Sequence, residues 1–152
     1  MEGGCSCGAV RYRIAARPMF TQCCHCADCQ RQSGGPFAIN GMIETSNIEV
    51  LSGAPVIVEM PSPSGRGHEI YRCPSCQTAL WSNYGRRAWL RFLRVATLDE
   101  PAITPDAHIF TRSKLPWVTL PEGMRAFEIY YDMNKEWPPE SLARWHAGKP
   151  TT

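Results

Sequence analysis

The chain has 152 residues, a formal charge of +2 and 20% charged residues. That is one domain's length, able to bury roughly 70% of its unfolded surface. The charge is too small to point to nucleic acid. No apolar run approaches the ~18 residues of a membrane span. Met1-Glu2-Gly3-Gly4-Cys5 has neither a basic nor an apolar leader segment, so we expect no signal peptide and a cytoplasmic protein.

In chain order the pattern is β. Gly8 to Ile14 alternates, with Val10, Tyr12 and Ile14 on one face and Arg11 and Arg13 on the other. Ala27 to Gln32 suits a short helix stopped by Gly34-Gly35. Pro36–Ile43, Ile48–Leu51 and Val56–Met60 read as strands parted by turn residues. Pro61 to Gly67 is a loop, and His68–Arg72 leads back into Cys73. Trp89–Thr97 and Ala126–Asp132 are further strands, and Pro138 to His146 suits a C-terminal helix. Thirteen Pro and twelve Gly favour many short elements over a bundle. We therefore expect a mainly β domain at 1–133. Residues 134–152 read as an appendage holding that helix.

Eight cysteines stand in close groups separated by long gaps. Neighbours one to three apart make strained disulfides, and the spacing reads as metal ligation. Cys5-Ser6-Cys7 and Cys73-Pro74-Ser75-Cys76 each turn two thiolates to one side, and two such turns close a tetrahedral zinc. Cys24, Cys26 and Cys29 stand at offsets of two and three, suited to a turn running into a helix. They leave a fourth position either open, as in catalytic zinc, or closed by a distant ligand. His25 and Asp28 sit between them and are expected to point away. Cys23 reads as a small buried hydrophobe. Seven thiolates and two divalent ions take the formal +2 to about −1.

Arg86, Arg87, Arg91 and Arg94, interleaved with Trp89 and Phe92, suit single-stranded nucleic acid or peptide carboxylates. An exposed strand face with arginines in solvent is the plainer expectation. His108 reads as structural.

Cys5 to Tyr12, Cys24 to Gly34 and Cys73 to Leu80 resemble the glutathione-dependent formaldehyde-activating enzyme family, which includes centromere protein V-like proteins. Thr97 to Pro101, His108-Ile109-Phe110 and Lys114 to Trp117 extend the resemblance, which covers about residues 3 to 121. It implies a tent-like fold of folded-over antiparallel β-sheets. It also implies structural zinc at Cys5, Cys7, Cys73 and Cys76, and catalytic zinc at Cys24, Cys26 and Cys29. Two departures stand out: Gln77 replaces the usual Gly, and the tail from Glu136 is this chain's own. The implied activity is a carbon–sulfur lyase type, acting on a thiol–aldehyde adduct such as S-(hydroxymethyl)glutathione. No general base is evident, and His25, Asp28 and His108 are the groups to inspect. A zinc module without activity, binding glutathione, protein or nucleic acid, is the alternative.

Overall fold

Alternation in the first clear strand, β2 (Arg11–Ile14), buries Tyr12 and Ile14 and leaves Arg13 in solvent. In the computed structural model, which describes residues 1–62 and 64–150, β2 is the centre of a three-stranded sheet. Its partners are β1 (Glu2–Gly4) and β5 (Ile48–Ser52). Pro63 of the expected loop and the last two residues of the tail lie outside the described residues.

The second sheet has eight strands. Its middle is formed by β3 (Phe20–Cys24), β4 (Ala38–Glu44), β9 (Leu90–Arg94) and β8 (Ala79–Tyr84). β7 (His68–Arg72) and β6 (Val56–Met60) extend one side. β10 (Ala107–Ile109) and β11 (Arg125–Ala126) extend the other, and β10 runs parallel to β3. The fold is mainly β, as expected. No helix among the described residues is long and apolar enough to cross a membrane.

Strand parity divides the core in two. On β4, Ala38 and Met42 point to one side, and Ile39 and Ile43 to the other. On β9, Leu90 and Phe92 share the first side, and Leu93 takes the second. The second side is roofed by β2, where Tyr12 meets Trp81 edge-on at 5.5 Å between centroids. The first side is covered by α1 (Ala27–Ser33), through buried Cys29, and by C-terminal Trp137 and Trp145. Trp145 lies in α3 (Pro139–Gly148), preceded by a single turn, α2 (Met133–Glu136). Ser141 of α3 donates to the Met19 carbonyl, and Arg144 pairs with Glu44.

Two expected strands are shorter than their patterns. Trp89–Thr97 is extended only to Arg94, where a 3₁₀ turn takes Val95–Thr97. Of Ala126–Asp132, only Ala126 keeps strand geometry. Beyond it, Phe110 adopts a left-handed φ of 54°, and the chain is tied by irregular bonds such as Phe110 N–H to Ile129 O.

Gln77 sits at φ 61°, where an L side chain is strained by roughly 1–2 kcal/mol. Its side chain recovers part of this by donating to Pro74 O at 3.0 Å. We expect Gln77→Gly to raise the melting temperature by about 2 °C. A fall in thermal unfolding would show that the side-chain bond outweighs the strain.

Candidate metal centres

Cys5 and Cys7 lie in the turn from β1 to β2. Cys5 N–H bonds Val10 O, and Gly8 at φ 75° returns its N–H to Cys5 O. The turn from β7 to β8 has the same plan: Cys73 N–H bonds Thr78 O, and Gln77 N–H bonds Cys73 O. Each turn folds its thiols inward, and the two turns face one another. Cys5 and Cys7 Sγ are 3.6 Å apart, and Cys7 and Cys73 Sγ 3.8 Å. All four sulfurs of Cys5, Cys7, Cys73 and Cys76 lie within 4.8 Å of one another. A tetrahedral ion at ~2.3 Å from each sulfur needs sulfur separations of about 3.8 Å, so the donor set fits zinc.

The second cluster is local. Cys24 ends β3, Cys26 is the N-cap of α1, and Cys29 lies in its first turn. Cys26 Sγ accepts Cys29 N–H at 3.4 Å, as a serine cap would. The three sulfurs also lie within 4.8 Å of one another. Thiols of Cys24 and Cys29, hydrogen-bonded to Cys26, hold the Cys26 thiol far below its usual range. Three soft donors on one side suit the same metal, with room for a fourth ligand.

His25 is turned away from this cluster. It is fully buried, its N–H bonds Ile109 O, and its Nε2 lies 2.8 Å from His108 Nδ1. The pair packs against Phe37. Burial pushes the His25 pKa down to about 4. Cys23 is 3% exposed, stands outside both clusters, and is pushed up to about 12 by burial.

A cavity of about 810 Å³ opens beside the three thiols, lined by Cys24, Cys26 and Asp28. Asp28 therefore faces the site, whereas neither His25 nor His108 lines it. Arg66, Arg87 and Arg112 stand around it, and none pairs with a carboxylate among the described residues. His68 closes another wall, stacked on Tyr84 at 3.8 Å between centroids. Burial, then the nearby charge of Arg94, hold the His68 pKa down to about 4.

Sequence patterns singled out neither Arg66, His68 nor Arg112. Arg66 and His68 flank the end of one loop and Arg112 lies in a distant turn, and no spacing joins the two places. Two expectations are corrected: Asp28 lines the cavity instead of pointing away, and one of the four arginines is buried. Arg94 is not in solvent but 8% exposed. It shares strand parity with Leu90 and Phe92, so it enters the protein and donates to Asn40 Oδ1 and Gln32 Oε1.

Residues 1–113 match the family model described as glutathione-dependent formaldehyde-activating enzyme. A Halomonas elongata protein with that provisional name is 30% identical over 97% of this chain and 94% of its own. The crystal structure of a Rhodobacter sphaeroides protein superposes with a TM-score of 0.53 at 19% identity. It covers 84% of this chain and 99% of its own, and supports the fold.

Proposed function

The chain belongs to the glutathione-dependent formaldehyde-activating enzyme family, an enzyme family of carbon–sulfur lyase type, and from that premise we propose a substrate and a site. The substrate is a thiol–aldehyde adduct of the S-(hydroxymethyl)glutathione kind. The observation that carries this is that two members of the three-thiol cluster of Cys24, Cys26 and Cys29, namely Cys24 and Cys26, line a cavity large enough for a tripeptide. Cys5, Cys7, Cys73 and Cys76 hold a structural zinc, and the three-thiol cluster holds a second. When bound there, the second zinc supplies Lewis acidity and stabilises a substrate thiolate.

In the direction of adduct formation the thiol sulfur forms a bond to the aldehyde carbon. The carbonyl π pair moves to oxygen, which takes up the proton the thiol has released. The reverse breaks the carbon–sulfur bond and returns thiol and aldehyde. Arg66, Arg87 and Arg112 suit the carboxylates of a peptide thiol through charge-assisted hydrogen bonds. Neutral His68 and Tyr84 form the wall beside the sulfurs. Eight free cysteines, seven of them grouped as ligands, support a reducing, cytoplasmic setting.

The test is the rate of adduct formation from glutathione and formaldehyde, and of its reversal, over the spontaneous reaction. Acceleration by the zinc-loaded protein is expected. No acceleration with glutathione or any other thiol would leave a zinc module in place of an enzyme. Cys23→Ser is expected to keep both metal equivalents, measured by elemental analysis. Loss of one would place Cys23 among the ligands.

A further inference from the structure

Arg94 is a buried cation with no acid to meet it. No carboxylate lies within ion-pair distance of its guanidinium among the described residues. Its side-chain partners, Asn40 and Gln32, are neutral amides. The smaller cavity beside it, about 420 Å³, is lined by no Asp or Glu, and its one thiol is that of Cys76 from the four-cysteine cluster. Taking an ion out of water without a counter-charge costs several kcal/mol, so a chain that keeps one there has an anion close by.

The fold supplies a candidate. β4 lies between β3 and β9, and the register sets Asn40 against both Gln22 and Arg94, with Cys24 against Ala38. Asn40 thus bridges the strand that carries Cys24 and the strand that carries Arg94. Gln32, the other partner, stands one helical turn beyond Cys29 on α1. Both amides that hold the guanidinium belong to elements flanking the three-thiol cluster.

We propose that Arg94 is the fixed counter-charge of the three-cysteine metal centre and sets that centre's metal affinity. Three thiolates around one divalent ion leave a net charge of −1, and a single guanidinium neutralises it. Asn40 and Gln32 fix its orientation while adding no charge. Arg94 is then a positioning and electrostatic residue, acting through the centre. The inference rests on the metal assignment proposed above.

The experiment uses the full chain with zinc alone, titrated against a chromophoric chelator. Wild type, Arg94→Met and Arg94→Lys are compared, together with the thermal stability of each chain at one and at two zinc equivalents. We expect two zinc equivalents in wild type. Arg94→Met should weaken the looser site about 10- to 100-fold, the range for residues that support metal ligands, and leave the tighter site unchanged. Arg94→Lys should recover much of the lost affinity. The one-zinc chains, with the tighter site filled, separate charge from scaffolding. With one equivalent, Arg94→Met should melt within a few degrees of wild type, because removing an unpaired buried cation offsets the bonds it gave Asn40 and Gln32. With two equivalents, it should melt lower by a wider margin.

Equal zinc affinity in wild type and Arg94→Met would overturn the inference while leaving the metal assignment standing. So would Arg94→Met melting as far below wild type with one equivalent as with two, which would make Arg94 a structural tie. So would Arg94→Lys binding as weakly as Arg94→Met, which would make the fork geometry rather than the charge decisive. A wild type that binds only one zinc would overturn the assignment of the second centre, and this inference with it.

Discussion

Cys73→Ser is expected to leave the protein insoluble or to lower its melting temperature by more than about 20 °C. Cys73 is fully buried, and its thiol joins a turn at residue 73 to one at residues 5 and 7. Under the proposed assignment, the zinc held there contributes folding free energy, apparently ~10–16 kcal/mol in small zinc peptides. That is comparable to the whole stability of a domain, about 5–15 kcal/mol. Across the opposing turns, Ser6 N–H donates to Thr78 Oγ1 at 3.3 Å and the two hydroxyls meet at 3.1 Å, both in solvent, where such bonds are weak. The measurement is zinc content with thermal unfolding. A Cys73→Ser chain that folds normally and retains two zinc ions would remove the structural role from this cluster.

Cys26→Ser should have the opposite profile: a folded chain, about one zinc, and no turnover of a thiol–aldehyde adduct. Cys24 and Cys29, its neighbours, are already held by β3 and α1, so the metal there closes no long loop. Serine also preserves the N-cap, since its hydroxyl accepts the Cys29 N–H in place of Cys26 Sγ. The melting temperature should fall by only a few degrees. Should Cys26→Ser unfold as badly as Cys73→Ser, the second centre is structural as well. Activity is measured with glutathione and formaldehyde, against the spontaneous reaction.

The two cysteine clusters were legible because both are built from turns, and a turn writes its geometry into local spacing. The same holds for β2, where alternation marks a strand with one face in solvent. β3 and β8 escaped because they are buried almost throughout: every residue from Phe20 to Cys24 is buried, and no alternation remains. β10 is three residues long and joins the sheet only through β3 and β11. The cavity wall was hidden for another reason. Arg66, His68 and Arg87 come from the β7 and β8 side of the large sheet and Arg112 from the segment beyond β10 on the other, and only the folded sheet gathers them on one cavity. Arg94 looked like one of four surface arginines, and only its parity with Phe92 sends it inward.

The pairing of the turn at Cys5 and Cys7 with the turn at Cys73 and Cys76 also constrains how the chain is made. At about 5–20 residues per second, a ribosome needs on the order of ten seconds to deliver the second turn after the first. During that interval the first two thiols wait at the free end of the nascent chain with half a binding site. β1 and β2 can pair early, but the knot that locks them to the large sheet closes a loop of 66 residues between Cys7 and Cys73. Long loops close late, because their entropy is lost before any contact rewards it. Under the proposed zinc assignment, metal supply in that window, rather than affinity in the finished molecule, would decide how much of the chain folds. A shortage of zinc would then act on this protein while it is being made, before the finished molecule could lose its metal.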